Sequence, residues 1–139
     1  MKPAEKLKIC NWSLLVSGIL ILASSIQLEA TGSEGIFPIW LHVALGIIFS
    51  ALVFTHVYLH FKWNNWFKRF QKLKKPVTRL LWYLFLLTLA LGIAAFVHWT
   101  TTYDHSPLGG VHGKIGFLMM AVAIAHTIKR IKFFKSSKR

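Results

Sequence analysis

Four long apolar runs, separated by short polar segments, dominate the hydropathy pattern of the chain. Each run is close to the roughly 20 residues that a helix needs to cross about 30 Å of hydrocarbon. Proline lies at or just before the start of the later three runs, where its fixed φ suits the first turn of a helix. We therefore predict four membrane-spanning helices, over about residues 12–30, 38–61, 77–99 and 111–130.

The first apolar run, Trp12–Ala30, follows three lysines, as the apolar part of a secretory signal would. The run is longer than the roughly 7–15 apolar residues of such a signal. We therefore expect it to be a true membrane span and not a cleaved leader.

The overall composition excludes an ordinary small soluble domain. Of the 139 residues, 55% are hydrophobic, and the mean hydropathy is +0.52. Such a composition is typical of membrane proteins. We predict one all-α membrane domain over residues 1–139, an integral membrane four-helix bundle with up-down-up-down topology.

The net charge of +13 arises from basic residues that fall almost entirely in three segments. These segments precede the first run, connect the second run to the third, and follow the fourth. With four alternating spans, all three segments lie on one side of the membrane, which the positive-inside rule makes the cytoplasm. Glu29, Glu34 and Asp104 lie on the other side. The charge therefore predicts cytoplasmic N and C termini and a lipid bilayer as the partner, and it argues against nucleic acid.

The motif H-x3-G-x9-H occurs twice, once on the second run and once on the fourth. Its members are His42, Gly46 and His56 in the first copy, and His112, Gly116 and His126 in the second. The spacing between the two histidines of a copy corresponds to about 40° less than four full helical turns and to a rise of about 21 Å. The two histidines of each helix therefore share one face, and the helix pairs 1–70 and 71–139 form a two-fold repeat.

The two copies of the motif place histidines at two matching depths, because the second and fourth spans run in the same direction. Haem iron takes two axial ligands from opposite sides of the porphyrin, and two imidazoles at one depth on facing helices meet that requirement. We therefore predict two haems b. Their ligands would be His42 and His112 near the outer face, and His56 and His126 near the cytoplasm.

Gly46 and Gly116 lie one turn inward from the outer histidines, on the same face. Lacking side chains, they can admit the edge of a porphyrin, although a glycine in this position of a membrane helix more often marks close helix packing. Cys10 is the only cysteine, so the C-x-x-C-H attachment of a c-type haem is excluded. Any haem must be bound non-covalently.

Zinc or copper is the competing metal interpretation, because imidazole suits these ions too. Neither histidine pair has an obvious third ligand at its depth within the spans, and only the outer pair could recruit His98 or His105. A haem-free metal transporter or scaffold therefore stays as an alternative to a haem protein.

The repeated motif, together with the segment His56-Val-Tyr-Leu-His-Phe-Lys-Trp63, resembles a family of small bacterial four-helix di-haem cytochromes b, often catalogued only as a domain of unknown function. This resemblance covers nearly the whole chain. The ligand spacing is also similar to that in the cytochrome b of bc complexes, but the chain lacks the extra spans and quinone-site signatures of those complexes. The resemblance implies the same histidine pairs as haem ligands and a multi-pass location in the bacterial inner (cytoplasmic) membrane.

Several other residues receive weaker assignments. Lys114, Arg79 and Arg130 can pair with haem propionates near the two interfaces, although lysine and arginine commonly snorkel there. His98 lies near the outer haem level, where it can exchange protons with a quinol, and a solvated helix end is the alternative. His60 lies one turn beyond His56 and could replace it as a ligand, but an interfacial histidine is the favoured interpretation.

Two haems at two depths would connect the two aqueous sides of the membrane, so we expect an electron-transfer protein. A quinone or quinol is the expected partner at one end, and an extracytoplasmic redox protein or a small redox molecule at the other. The chain contains no flavin or dinucleotide fingerprint. The alternative with an enzymatic function is a small-molecule oxidoreductase at the haems, for example a superoxide:quinone oxidoreductase.

Overall fold

A computed structural model of the chain describes residues 3–61, 76–104 and 106–131. All regular structure in these ranges is α-helical. The four helices are α1 (Pro3–Ala30), α2 (Ile36–Phe61), α3 (Pro76–Thr102) and α4 (Pro107–Arg130).

All four helices are long and apolar enough to cross a membrane by length and composition. Their most apolar segments have mean hydropathies of 1.9, 2.2, 2.4 and 1.6 in chain order. Large apolar side chains are exposed along every helix, including Ile19, Ile47, Ile93 and Leu118. Exposed apolar surface on this scale suits lipid and not water. The predicted class, a multi-pass membrane protein, is therefore confirmed.

The helices extend beyond the apolar runs, most clearly at α1, which begins at Pro3 and not near Trp12, and at α4, which begins at Pro107. Hydropathy locates only the part of a helix that suits hydrocarbon, whereas helical hydrogen bonding continues wherever the backbone allows it. At the start of α4 the Leu108 N–H donates to Ser106 Oγ at 3.0 Å. Ser106 is therefore the N-cap and Pro107 the first helical residue, the position that proline favours.

The turn between α1 and α2 is a Schellman motif. The Ser33 N–H donates to the Leu28 carbonyl at 2.7 Å, and the Gly32 N–H lies 3.4 Å from the Glu29 carbonyl. Gly32 has φ 61°, the left-handed conformation that this motif requires and that glycine adopts without steric cost. The turn satisfies the last carbonyls of α1 and reverses the chain into α2.

The main helix contacts form two hairpins, α1 with α2 and α3 with α4. Contacts at both ends of the first hairpin show that its helices are antiparallel, because Cys10 Sγ lies 3.8 Å from the Leu52 carbonyl and Ser24 contacts His42. Four apolar helices in consecutive hairpins are the arrangement expected of an up-down membrane four-helix bundle. The predicted all-α fold class is confirmed.

The face of α1 that packs in the first hairpin is a stripe of small residues. Cys10, Ser17 and Ser24 are buried at intervals of one heptad, with Ile21 between the two serines. In membranes, small residues at helix interfaces allow backbones to approach closely. In the second hairpin the buried residues are larger: Trp82 and Phe85 on α3, whose rings lie 5.6 Å apart, and Met119 on α4.

The basic segments 62–75 and 132–139 and the residue His105 lie outside the described residues. The orientation of the chain depends largely on those basic segments. The cytoplasmic location of both termini therefore stays a prediction.

Candidate functional site

His42 lies on α2 in the first hairpin, half-buried, with its Nδ1 3.0 Å from Ser24 Oγ on α1. The Ser24 hydroxyl is 2.8 Å from the Ile21 carbonyl as well. The hydroxyl has one proton, which can go to the Ile21 carbonyl or to His42 Nδ1, and the Ser25 hydroxyl also lies 2.8 Å from that carbonyl. When the Ser24 proton goes to the carbonyl, Nδ1–H of His42 donates to Ser24 Oγ.

His112 lies on α4 in the second hairpin, and its Nδ1 bonds to a group of a different kind. Its Nδ1 is 2.9 Å from the backbone carbonyl oxygen of Thr88 on α3. A carbonyl only accepts hydrogen bonds, so Nδ1 of His112 is the donor. The neutral ring of His112 therefore has its lone pair on Nε2.

Gly92 makes the contact between His112 and Thr88 sterically feasible. A Cβ on Gly92 would lie 2.8 Å from Cε1 and 3.1 Å from Nδ1 of the His112 ring. In a helix the carbonyl of Thr88 accepts from the N–H of Gly92, four residues later. The side chain at position 92 therefore lies next to this carbonyl oxygen and determines whether a second donor can reach it. Glycine leaves the carbonyl accessible to the imidazole.

The two outer histidines both form a hydrogen bond through Nδ1 to the neighbouring helix. An imidazole that binds a metal through Nε2 usually donates its Nδ1–H to a carbonyl, hydroxyl or carboxylate, which fixes the tautomer and the orientation of the ring. His112 meets this requirement through the Thr88 carbonyl, and His42 meets it in the tautomer whose Nδ1–H donates to Ser24. This donor chemistry fits axial ligation of haem iron.

The inner histidines, His56 on α2 and His126 on α4, are half-buried. Nδ1 of His56 is a buried atom, and its ring meets the ring of His60 edge-on, with centroids 4.6 Å apart and an interplanar angle of 63°. His60 itself is exposed. The ligand pairs predicted from the sequence join residues of different hairpins, and the pairing stays a prediction.

Gly46 and Gly116 lie beside the neighbouring helix of their own hairpins. A Cβ on Gly46 would lie 3.9 Å from Ile21 Cδ1, and one on Gly116 would lie 3.6 Å from Thr88 Cγ2. Both distances are ordinary van der Waals contacts. Helix packing within each hairpin therefore does not require glycine at either position.

The remaining candidate residues lie at the two ends of the second hairpin. Arg79, in the first turn of α3, is exposed, and Arg130, the last residue of α4, is half-buried at the same end. Lys114 is exposed near the other end. His98 lies at that end too, with Nδ1 3.3 Å from Thr102 Oγ1.

Sequence reasoning missed Ser24, Thr88 and Gly92, which contact the outer histidines. The only sequence signal for the last two is a small-x3-small pair on the third span, which commonly marks close helix approach. That pattern does not indicate which residue of a neighbouring helix would contact Thr88 and Gly92. Within residues 3–61, 76–104 and 106–131, no three His, Cys, Asp or Glu side chains come together as a metal-binding group.

Comparison with protein-family models, with curated proteins and with solved structures gives no match to this chain. The functional argument therefore depends on the residues themselves: the repeated histidine spacing, the apolar helices that carry it, and the hydrogen bonds of the two outer imidazoles.

Proposed function

We propose that the protein is a di-haem b cytochrome of the bacterial cytoplasmic membrane that transfers electrons across the bilayer, and that it belongs to the small four-helix cytochrome b family that its sequence resembles. The observation that carries the proposal is the repeated H-x3-G-x9-H motif on two apolar helices. The hydrogen bonds of His42 and His112 support it, because both rings use Nδ1 in a bond to the neighbouring helix, as metal-binding imidazoles usually do.

In this proposal His42 and His112 bind the outer haem, and His56 and His126 bind the inner one. The two imidazoles of each pair would supply the nitrogen ligands of a haem iron. Gly46 and Gly116 leave room beside the outer ligands.

Haem bound in this way supplies a reversible one-electron carrier. The residues of the chain determine where each carrier lies: the helical rise between the two histidines of a motif separates the two levels by about 21 Å. Lys114 at one end of the second hairpin, and Arg79 and Arg130 at the other, provide cations for propionates. His98 provides a proton-exchanging group near the outer level.

The proposed partners follow from the membrane location. A quinone or quinol can exchange electrons from within the lipid at one face. An extracytoplasmic redox protein or a small redox molecule exchanges them at the other face.

A reduced-minus-oxidised absorption spectrum of the purified chain, with haem quantified as its pyridine complex, tests the cofactor. We expect low-spin haem b at about two per chain, since four histidines provide two axial pairs. A chain purified from haem-sufficient cells without haem contradicts the proposal, and so does high-spin haem, because bis-imidazole ligation gives low-spin iron.

Electron transfer is tested in sealed liposomes with a reductant trapped inside and ferricyanide outside. The native chain should support electron flow, whereas His42→Ala and His56→Ala should each interrupt it at one end. The matched control is His60→Ala, which changes an exposed neighbour of His56. A variant shown to lack one haem that still conducts at the native rate would refute transfer through both haems.

A further inference from the structure

Each outer histidine receives its orientation from the other helix of its own hairpin. In the first hairpin the partner of Nδ1 is the side-chain hydroxyl of Ser24, and in the second it is the backbone carbonyl of Thr88. The carbonyl only accepts, so it holds the proton on Nδ1 of His112, and the hydroxyl can accept from His42 in the same way. Neither residue belongs to the histidine motif.

The Thr88 carbonyl accepts from His112 at a point where α3 is unbroken. α3 is continuous from Pro76 to Thr102, and the Thr88 hydroxyl donates back to the Leu84 carbonyl at 2.7 Å in the usual way. The carbonyl accepts from His112 in addition to its helical partner, as a carbonyl with two lone pairs can. What makes this second bond feasible is the absence of a side chain on Gly92, since a Cβ there would lie 2.8 Å from the ring.

We propose that Gly92 and Ser24 are positioning residues for the outer haem: Gly92 exposes the Thr88 carbonyl to His112, and Ser24 accepts from His42, so that both imidazoles present Nε2 as the iron ligand. This inference rests on the proposed haem function. Nδ1–H donation increases the basicity of the coordinating nitrogen and stabilises ferric iron, so both residues lower the reduction potential of the outer haem.

The first test needs no haem. Histidine ¹⁵N chemical shifts of the full chain, produced in a haem-deficient host and placed in lipid nanodiscs, report which ring nitrogen is protonated. We expect Nδ1–H at His42 and His112 in the native chain. Gly92→Ala should displace the His112 ring and abolish its Nδ1–H preference, and Ser24→Ala should do the same at His42.

Matched controls are available on α1 and α4. The Ser25 hydroxyl donates to the same Ile21 carbonyl as Ser24 does, also at 2.8 Å, so Ser25→Ala removes an equivalent hydroxyl. Gly113→Ala adds a methyl group where nothing lies within 4 Å. Both controls should leave the two tautomers unchanged. Ser24→Ala adds no bulk, so it decides the question for His42 even if Gly92→Ala does not fold.

The second test uses the haem-loaded chain in a redox titration. Gly92→Ala and Ser24→Ala should each raise the midpoint potential of the outer haem and leave that of the inner haem unchanged, while the controls match the native chain. If both variants retain the native tautomers and potentials, the positioning role is wrong although the haem function stands. If the chain binds no haem, the function fails, and the haem-free measurement still decides whether these residues orient the histidines.

Discussion

At the scale of single residues, burial distinguishes the motif histidines from His60 but not from His98. His42, His56, His112 and His126 are half-buried on apolar helices, and so is His98, whereas His60 is exposed. A partly buried polar ring within a membrane helix is costly unless it serves a function. The repeated spacing, and not burial, therefore identifies the candidate ligands.

Replacing any one motif histidine by alanine should remove one haem and leave the other, because each iron loses an axial ligand while the second pair stays intact. The haem-to-protein ratio should fall from about two to about one. His60→Ala should keep both haems. Retention of two low-spin haems in all four variants would show that the pairing is wrong.

The motif glycines permit a test that separates porphyrin binding from helix packing. Gly46→Ala and Gly116→Ala place a methyl group at 3.9 Å and 3.6 Å from the neighbouring helix, so the hairpins should fold normally. We expect unchanged unfolding in an SDS titration but lower haem content, because the methyl group occupies space that the porphyrin edge needs.

Gly113→Ala on α4, with open space around the added methyl group, is the control for these glycine variants. Full haem content in Gly46→Ala and Gly116→Ala would show that neither glycine makes room for the porphyrin. Loss of helical structure together with haem would instead show that the two glycines serve helix packing.

At the scale of the helices, the first hairpin depends on the small residues of α1. Ser17 is 6% exposed on the packed face, while its neighbour Val16, about 100° away around the helix, is 54% exposed. Ser17→Leu should therefore destabilise the α1–α2 hairpin by about 1–3 kcal/mol through overpacking. The measurement is the midpoint of an SDS unfolding titration.

Val16→Leu adds apolar volume on the exposed side of the same helix and should leave that midpoint close to native. Equal effects of the Ser17 and Val16 substitutions would mean that the serine stripe is not a packing surface.

The helices were predictable from the sequence because length and hydropathy alone identify a membrane span. The polar ends of the helices were less predictable. Helix α1 begins well before Trp12, and only the Ser106-Pro107 pair indicated the start of α4. The candidate ligands were likewise visible as a repeat. The contacts that orient them were not, because the meeting of Thr88 and Gly92 with His112 depends on how α3 and α4 pack and not on local sequence.

At the scale of the whole molecule, the distribution of charge predicts the orientation in the membrane. In a Cys10→Ser background, cysteines introduced as Glu34→Cys and Asp104→Cys should react with an impermeant thiol reagent added outside intact cells. Both positions are exposed and lie between spans. Ser136→Cys, in the basic C-terminal segment, should react only after the cells are opened.

These positions avoid residues that stabilise helix ends, since Ser106 caps α4 and Ser33 lies in the Schellman turn. Labelling of Ser136→Cys in intact cells, with protection of the other two, would reverse the orientation and place the levels of His42 and His112 toward the cytoplasm.

The pairing of consecutive helices also has a consequence for biosynthesis. α1 and α2 are joined by the short turn 31–35 and pack on each other, so the partners of this hairpin are all present once Phe61 has left the ribosome. Contacts that are close in sequence form early because little loop entropy is lost. We therefore expect the nascent chain to enter the bilayer as a packed helix pair, with the His42 side chain already set against Ser24 while Pro76–Thr102 is still being translated.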